Sequence, residues 1–340
     1  AMDPAIAAAG PESLPLGTHF KGAGHVYMRG AWKDPDATWA FFGAGPQLAG
    51  HSRDDEGHSL ISKKGALVSR AGGQGGNDDD YYSGGSLIYN LPTIFDPSEK
   101  FRRDRANEND GGLVRGVYLD GPWPRERGHI TAFEHTPKHT YAAADLTKGY
   151  AASKARSVTR QFLYLPGSKE YFLIFDRVEA ANPAFKRHSF LHIPTEPAAV
   201  NGTQSWLSLP EADGDKQLLS KGRSRAFLHT LLPEKADVVT RGGPGKEAWG
   251  HPLEPSAQYN HMSPGRTKPP ICPWRIEVAD PATGSRSLFL QVLEITEEGV
   301  AAPAALKFIA PAGVQLPDGR QIHFNVSGPA GGRIGSDPLP

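Results

Sequence analysis

Cysteine is nearly absent from this sequence, with Cys272 alone among 340 residues. An internal disulfide and the Cys/His zinc modules of the finger kind are thereby excluded. A lone thiol suits a reducing cytosol and a bacterial periplasm equally, so it does not place the protein. Net charge is absent too, with 37 Lys and Arg against 37 Asp and Glu. Without a basic excess there is no electrostatic footprint for nucleic acid or an anionic membrane, and neither is expected as a partner. No run of about eighteen apolar residues is present to span a bilayer. Several catalytic signatures are missing as well: a G-x-S-x-G elbow, a Walker lysine loop, H-E-x-x-H, and a G-x-G-x-x-G that opens a helix. Gly72-Gly73-Gln74-Gly75-Gly76 resembles a phosphate cradle only in composition, because no helix follows to present its N-terminus. Hydride and phosphoryl chemistry are not expected.

Glycine and proline are abundant, at 39 and 30 residues. Together they make about a fifth of the chain, against roughly 12% on average, which argues for many turns between short strands. The clearest pattern spans residues 157–179. Val158, Arg160, Phe162 and Tyr164 alternate with Thr159, Gln161, Leu163 and Leu165, Pro166-Gly167-Ser168-Lys169 supplies a turn, and Tyr171 to Val178 returns. Large apolar side chains on both faces predict a hairpin of two long, buried strands. Further strands are expected at 188–193, 205–209, 224–231, 274–278, 287–295, 305–309 and 321–326, with Asp318-Gly319 as a hairpin turn between the last two. No stretch carries an apolar helical face of useful length, residues 36–42 coming nearest. The expected fold is all-β, a large multi-strand antiparallel sandwich. Residues 72–85 and 241–273 read as long irregular loops.

Residues 1–13 read as a cloning-vector remnant and linker, and 14–340 as one domain with a subdivision near 198. No internal repeat is found.

Unusual chemistry concentrates in the first half. His51-Ser52-Arg53-Asp54-Asp55-Glu56-Gly57-His58 gathers two imidazoles, a guanidinium and three carboxylates directly before the strand-like Ser59-Leu60-Ile61-Ser62. On a strand, His51, Arg53 and Asp55 would share one face. A carboxylate there can fix an imidazole tautomer while the arginine offers a fork to a ligand carboxylate. A solvated charged loop is the plainer reading of that cluster. Tyr81 and Tyr82 stand against a glycine-rich turn, and Glu134-His135-Thr136-Pro137-Lys138-His139 leads to Tyr141 and Asp145, both read as structural. The triplet Asp78, Asp79, Asp80 lacks the EF-hand spacing, so calcium is not assigned.

Taken in order, Phe20-Lys21-Gly22-Ala23-Gly24-His25-Val26-Tyr27-Met28-Arg29-Gly30-Ala31-Trp32, Asp36-Ala37-Thr38-Trp39, the segment from His51 to His58, Tyr141-Ala142-Ala143-Ala144-Asp145 and the strand pair ending in Asp176-Arg177-Val178-Glu179 resemble the β-sheet domain of heparinase II/III-like proteins. The resemblance covers residues 14–197. It implies a super-β-sandwich that in the family follows a helical (α/α) toroid, in an enzyme degrading acidic polysaccharide by β-elimination. That reaction requires neutralisation of a uronate carboxylate, a base for the C5 proton and an acid for the O4 leaving group. His51 matches the first histidine of the family's H-x-H-x-D pattern and Asp55 its aspartate. The departures are Arg53 where a second histidine is usual, Arg70 near a metal-binding aspartate, and Tyr89 before Asn90 where a His-Asn pair is common. A structural zinc, present in several members, therefore loses two ligands, and no metal or cofactor is assigned.

The residues expected to act are His51, Tyr82 and His135 in proton transfer, with Arg53, Arg70, Asp55 and Asn90 binding substrate. The expected function is that of the β-domain of a lyase for uronic-acid-containing polysaccharide. A non-catalytic carbohydrate-binding module and a uronate C5-epimerase-like protein are the alternatives. The six tryptophans could stack sugars, although burial is the commoner fate of this side chain. The resemblance also implies an acidic glycan and a toroid of the same parent protein as partners, and a secreted or periplasmic bacterial location.

Overall fold

The computed structural model describes residues 10–46, 54–71, 86–99, 111–113, 127–209, 222–243 and 272–340. Among them, all regular structure is strand apart from short 3-10 turns. No helix is long and apolar enough to cross a membrane among the described residues.

Five strands form the first sheet in sequential order: β1 (Gly17–Phe20), β2 (His25–Arg29), β3 (Trp39–Gly43), β4 (Ser59–Ser62) and β5 (Ala66–Val68). Next along the chain come β6 (Pro92–Phe95), β7 (His129–Thr136), β8 (His139–Asp145), β9 (Ala155–Leu165), β10 (Glu170–Ala180) and β11 (Lys186–Ile193). They are followed by β12 (Ala198–Val200), β13 (Thr203–Leu207), β14 (Ser224–Leu232), β15 (Asp237–Gly242), β16 (Trp274–Ala279) and β17 (Arg286–Glu297). These twelve build an eight-stranded sheet, ordered β12-β13-β14-β17-β10-β9-β8-β7, and a four-stranded sheet, ordered β15-β16-β11-β6. The chain closes with β18 (Lys307–Ile309), β19 (Gly313–Gln315), β20 (Gln321–Phe324), β21 (Gly332–Ile334) and β22 (Asp337–Leu339), which form a five-stranded sheet. All pairings are antiparallel, as expected from the abundance of turns.

The eight-stranded sheet is the middle layer, and strand alternation explains how it serves two cores. Phe162, Tyr164, Phe172, Ile174 and Val178 face a core shared with Val26, Met28, Phe42 and Ile276. Leu163, Leu165, Leu173, Phe175 and Val292 face the opposite core, shared with Val314, Ile322 and Phe324. Phe42 stacks on Phe162 at 5.4 Å on one side, and Phe175 stacks on Phe324 at 5.1 Å on the other. Both faces of the predicted hairpin are therefore apolar because each packs against another sheet.

Some local expectations are corrected. Asp318-Gly319 joins β19 to β20, not 305–309 to 321–326, because the short β19 lies between; glycine at 319 meets the turn's φ of +90°. Residues 241 and 242 end β15, paired to β16, so the loop read from 241 starts later. Residues 244–271 of that loop, like residues 72–85, fall outside the described residues. Trp206 is buried, its indole N–H donating to Leu67 O at 2.9 Å, whereas Trp32, Trp39 and Trp274 are half-buried; Trp123 and Trp249 lie outside.

Candidate functional site

His51, Arg53 and Tyr82 lie outside the described residues, while Asp55, Arg70, Asn90 and His135 lie within them. The strand expected to carry Asp55 begins only at Ser59. Residues 54–58 form a turn in which the His58 N–H donates to Asp55 O at 2.9 Å and the Gly57 N–H to Gly43 O at 2.7 Å. Gly57 has φ +91°, and a Cβ there would come within 2.5 Å of the Leu146 side chain, so both backbone and space require glycine. The turn buries Asp54, Glu56 and His58 and leaves Asp55 half-exposed.

Asn90 is the hub of this region and is fully buried. Its side-chain amide donates to Ser59 O at 2.9 Å and to Ser69 O at 3.0 Å. Its Oδ1 accepts the His192 N–H at 2.6 Å and contacts His192 Nδ1 at 3.0 Å, while its own N–H donates to His58 Nδ1 at 3.0 Å. Two donors and two lone pairs are thus all engaged, which leaves this side chain no free atom for a substrate. The contacts also set the tautomers: neutral His58 carries its proton on Nε2 and His192 on Nδ1. His192 Nε2 is then a buried lone pair without a partner among the described residues.

Beneath Asn90, Arg160 grips Asp176 through two bonds of 2.7 Å, from Nε to Oδ1 and from one terminal nitrogen to Oδ2. Its other terminal nitrogen donates to Gly57 O at 2.8 Å and to Asn90 O. Ser189 Oγ adds a bond of 3.2 Å to Asp176. These partners satisfy a charge pair whose members are each about 1% exposed, without which burial would be prohibitive. Burial, with Arg160 and Arg70 adding repulsion, pushes the His58 imidazole down to about 3. Burial, then Arg275 and His58, hold His192 well below the ordinary range. Both rings are neutral at physiological pH.

Among the described residues no three His, Cys, Asp or Glu side chains gather to hold a metal ion, and His58 Nδ1 is already engaged by the Asn90 N–H.

A second cluster lies alongside in the same turn. Arg127, with no exposure, donates to Asp54 at 2.5 Å and lies 3.8 Å from Glu56. Burial pushes the Glu56 carboxyl up to about 8 against the opposing pull of Arg127, so at neutral pH it is largely the uncharged acid. Glu56 Oε2 and Arg127 Nε and Nη2 have no hydrogen-bond partner among the described residues.

His135 is not brought to this place. It contacts Thr140 Oγ1 at 2.8 Å. Thr140 pairs with Tyr164, whereas Ala144 pairs with Arg160. Four residues of strand, about 13 Å, separate the two sites along the sheet. Tyr141 is structural, its hydroxyl donating to Gln161 at 2.6 Å, and Asp145 caps the Thr147 N–H at 2.9 Å.

The sequence reading missed Glu56, His58, Arg127, Arg160, Asp176 and His192. For two of them a signal was available: the turn at 166–169 sets Arg160 opposite Asp176, and opposite charges on facing positions of an apolar hairpin mark a buried pair. Arg127 and His192 carry no such local cue.

Neither a protein-family profile nor a curated protein sequence matches the chain. Solved structures do. The heparan sulfate lyase HepC from Pedobacter heparinus superposes with a TM-score of 0.59 at 13% identity, over 90% of this chain and 41% of its own. A heparinase III described as the BT4657 gene product gives 0.54 at 12% identity, over 96% and 42%. A further heparinase III structure gives 0.51 at 10% identity, over 95% and 41%. The fold is therefore that of the β-sheet portion of heparinase III-type structures, as the sequence resemblance implies. The chain spans about two-fifths of the length of these proteins.

Proposed function

We propose that this chain is the β-sandwich domain of a polysaccharide lyase that cleaves a uronic-acid-containing glycan by β-elimination. The observation that carries the reading is the fold shared over nine-tenths of the chain with the structure of a heparan sulfate lyase. Its own residues support it at the start of β4. There Glu56, an acid that is uncharged at neutral pH, stands three residues after Arg53 in the sequence and lies 3.8 Å from Arg127, a guanidinium with donors that have no hydrogen-bond partner among the described residues. In this reading His51 transfers the proton and Arg53 and Arg70 neutralise the uronate, since a fixed guanidinium stabilises the charge that develops on the carboxylate as C5 loses its proton. Tyr82 and His135 are weaker candidates for base or acid, and His135 would require substrate to extend along β7. A helical toroid of the same parent protein completes the cleft, and export from a bacterium gives access to the polymer.

The test is to incubate the protein with a panel of acidic polysaccharides and to follow the absorbance of the unsaturated uronate product. Product formation is expected, with His51→Ala slower by roughly 10²-fold or more, the scale for losing an acid-base group. A flat trace across the panel, with measurable binding, would overturn catalysis by this chain and leave a glycan-binding module.

A further inference from the structure

The outer face of the eight-stranded sheet carries charge that is not closed off as the Arg160–Asp176 pair of the inner face is. Ser157, Glu179 and Arg286 form one row across β9, β10 and β17, because Glu179 pairs with both Ser157 and Arg286. Arg177 lies two residues before Glu179 on the same face. Beside them the C-terminal segment 325–328 passes over the sheet, and a cavity of about 250 Å³ opens between the two, lined by these four residues with Ser327 and Gly328. The volume is slightly below that of ordinary ligand pockets and suits a single small group.

Arg177 is fixed to both walls. Its Nε donates to Thr159 Oγ1 at 2.9 Å, and a terminal nitrogen donates to Gly328 O at 2.9 Å and to Asn325 O at 3.2 Å. Arg286 is exposed and makes no side-chain hydrogen bond or ion pair among the described residues. Glu179, the acidic member of the lining, lies 4.0 Å from Arg156, itself a third guanidinium. Three positive groups against one negative group leave a local excess on a chain whose total charge is zero. Burial, and after it repulsion from Arg286, lowers the Arg177 pKa. An anion between them would relieve that repulsion. The remaining terminal nitrogen of Arg177, held in place by the other donors, and the exposed guanidinium of Arg286 can both donate to the oxygens of a sulfate or carboxylate.

We propose that this cavity is an anion-binding site that takes one sulfate or carboxylate group of an acidic saccharide. It is built from the opposite face of the sheet to the Asn90 centre and forms a separate contact. Anion binding stands independently of the lyase reading, and the saccharide as the source of the anion rests on it.

Backbone amide resonances of Ser157, Glu179 and Ser327 in the intact chain report on the site. Sodium sulfate titrated at constant ionic strength is expected to shift them saturably, and a sulfated uronate disaccharide and its unsulfated counterpart show which anionic group is preferred. Arg286→Ala, at an exposed position, is expected to weaken each response about tenfold or more, and Arg286→Glu to abolish it. No response to any of the three probes, or equal responses in wild type and Arg286→Ala, would overturn the site. A response to sulfate with none to either disaccharide would keep the anion site and overturn the saccharide assignment. A flat lyase assay beside a saccharide response would sink the lyase reading and leave this one standing.

Discussion

Asp176 and Arg177 are consecutive on β10, yet they belong to different environments. Asp176 faces the inner core, where Arg160 takes both its oxygens and Ser189 a third contact, and nothing reaches solvent. Arg177 faces the outer layer, where it is half-buried and holds two carbonyl oxygens beside a cavity it shares with Arg286. The same strand thus presents a closed, compensated charge on one side and an open, uncompensated one on the other. Arginine buried with every partner supplied locks the sheets together, and arginine left with spare donors at a cavity is available to a ligand. The residue type alone does not decide between these uses.

Breaking the inner side is expected to cost most. Asp176→Ala leaves the Arg160 charge buried without a counter-charge, and urea unfolding should show a loss of about 3–5 kcal/mol. A loss below about 1 kcal/mol would mean that water or rearrangement reaches Arg160. The pH dependence of the neighbouring imidazole comes next. Its folded pKa is depressed, so the stabilisation it contributes is present above the unfolded value of 6.5 and is lost as pH falls towards 3. Between pH 6.5 and 4 that amounts to roughly 3 kcal/mol, at about 1.4 kcal/mol for each unit. A shallower decline is expected in His58→Gln, and identical slopes in the two proteins would remove His58 as the cause. The outer side should respond least. Arg177→Ala forfeits its bonds to Thr159, Asn325 and Gly328 and should cost about 1–2 kcal/mol. Arg286→Ala should change stability by less than about 0.5 kcal/mol, as surface positions without partners do. A large loss in Arg286→Ala would erase the contrast between the faces.

Much of the architecture is legible from residue order. The 157–179 hairpin reads correctly because strand alternation and a Pro-Gly turn are local signals, and its apolar residues on both faces require a layer above and a layer below. Short strands such as β19, with three residues, carry too little pattern to be seen. The candidate site is legible only in outline. The segment from His51 to His58 draws attention by composition, but the alternation expected for a strand is replaced by a turn that buries Asp54, Glu56 and His58. Asn90 stands out through its family position, while its four side-chain contacts come from segments separated by 21 to 102 residues.

By itself the sequence determined an all-β chain with two-sided central strands, no internal disulfide and no overall charge, because those properties follow from composition and period-two patterning. Only the tertiary structure decided which charged groups are silenced and which are left open. Burial and the nearest counter-charge fix those outcomes, and both depend on sheets packing residues that lie far apart in the chain. That is why Glu56 holds its proton near neutral pH, why His58 gives its proton up, and why Arg160 and Arg177, on paired strands, meet such different surroundings.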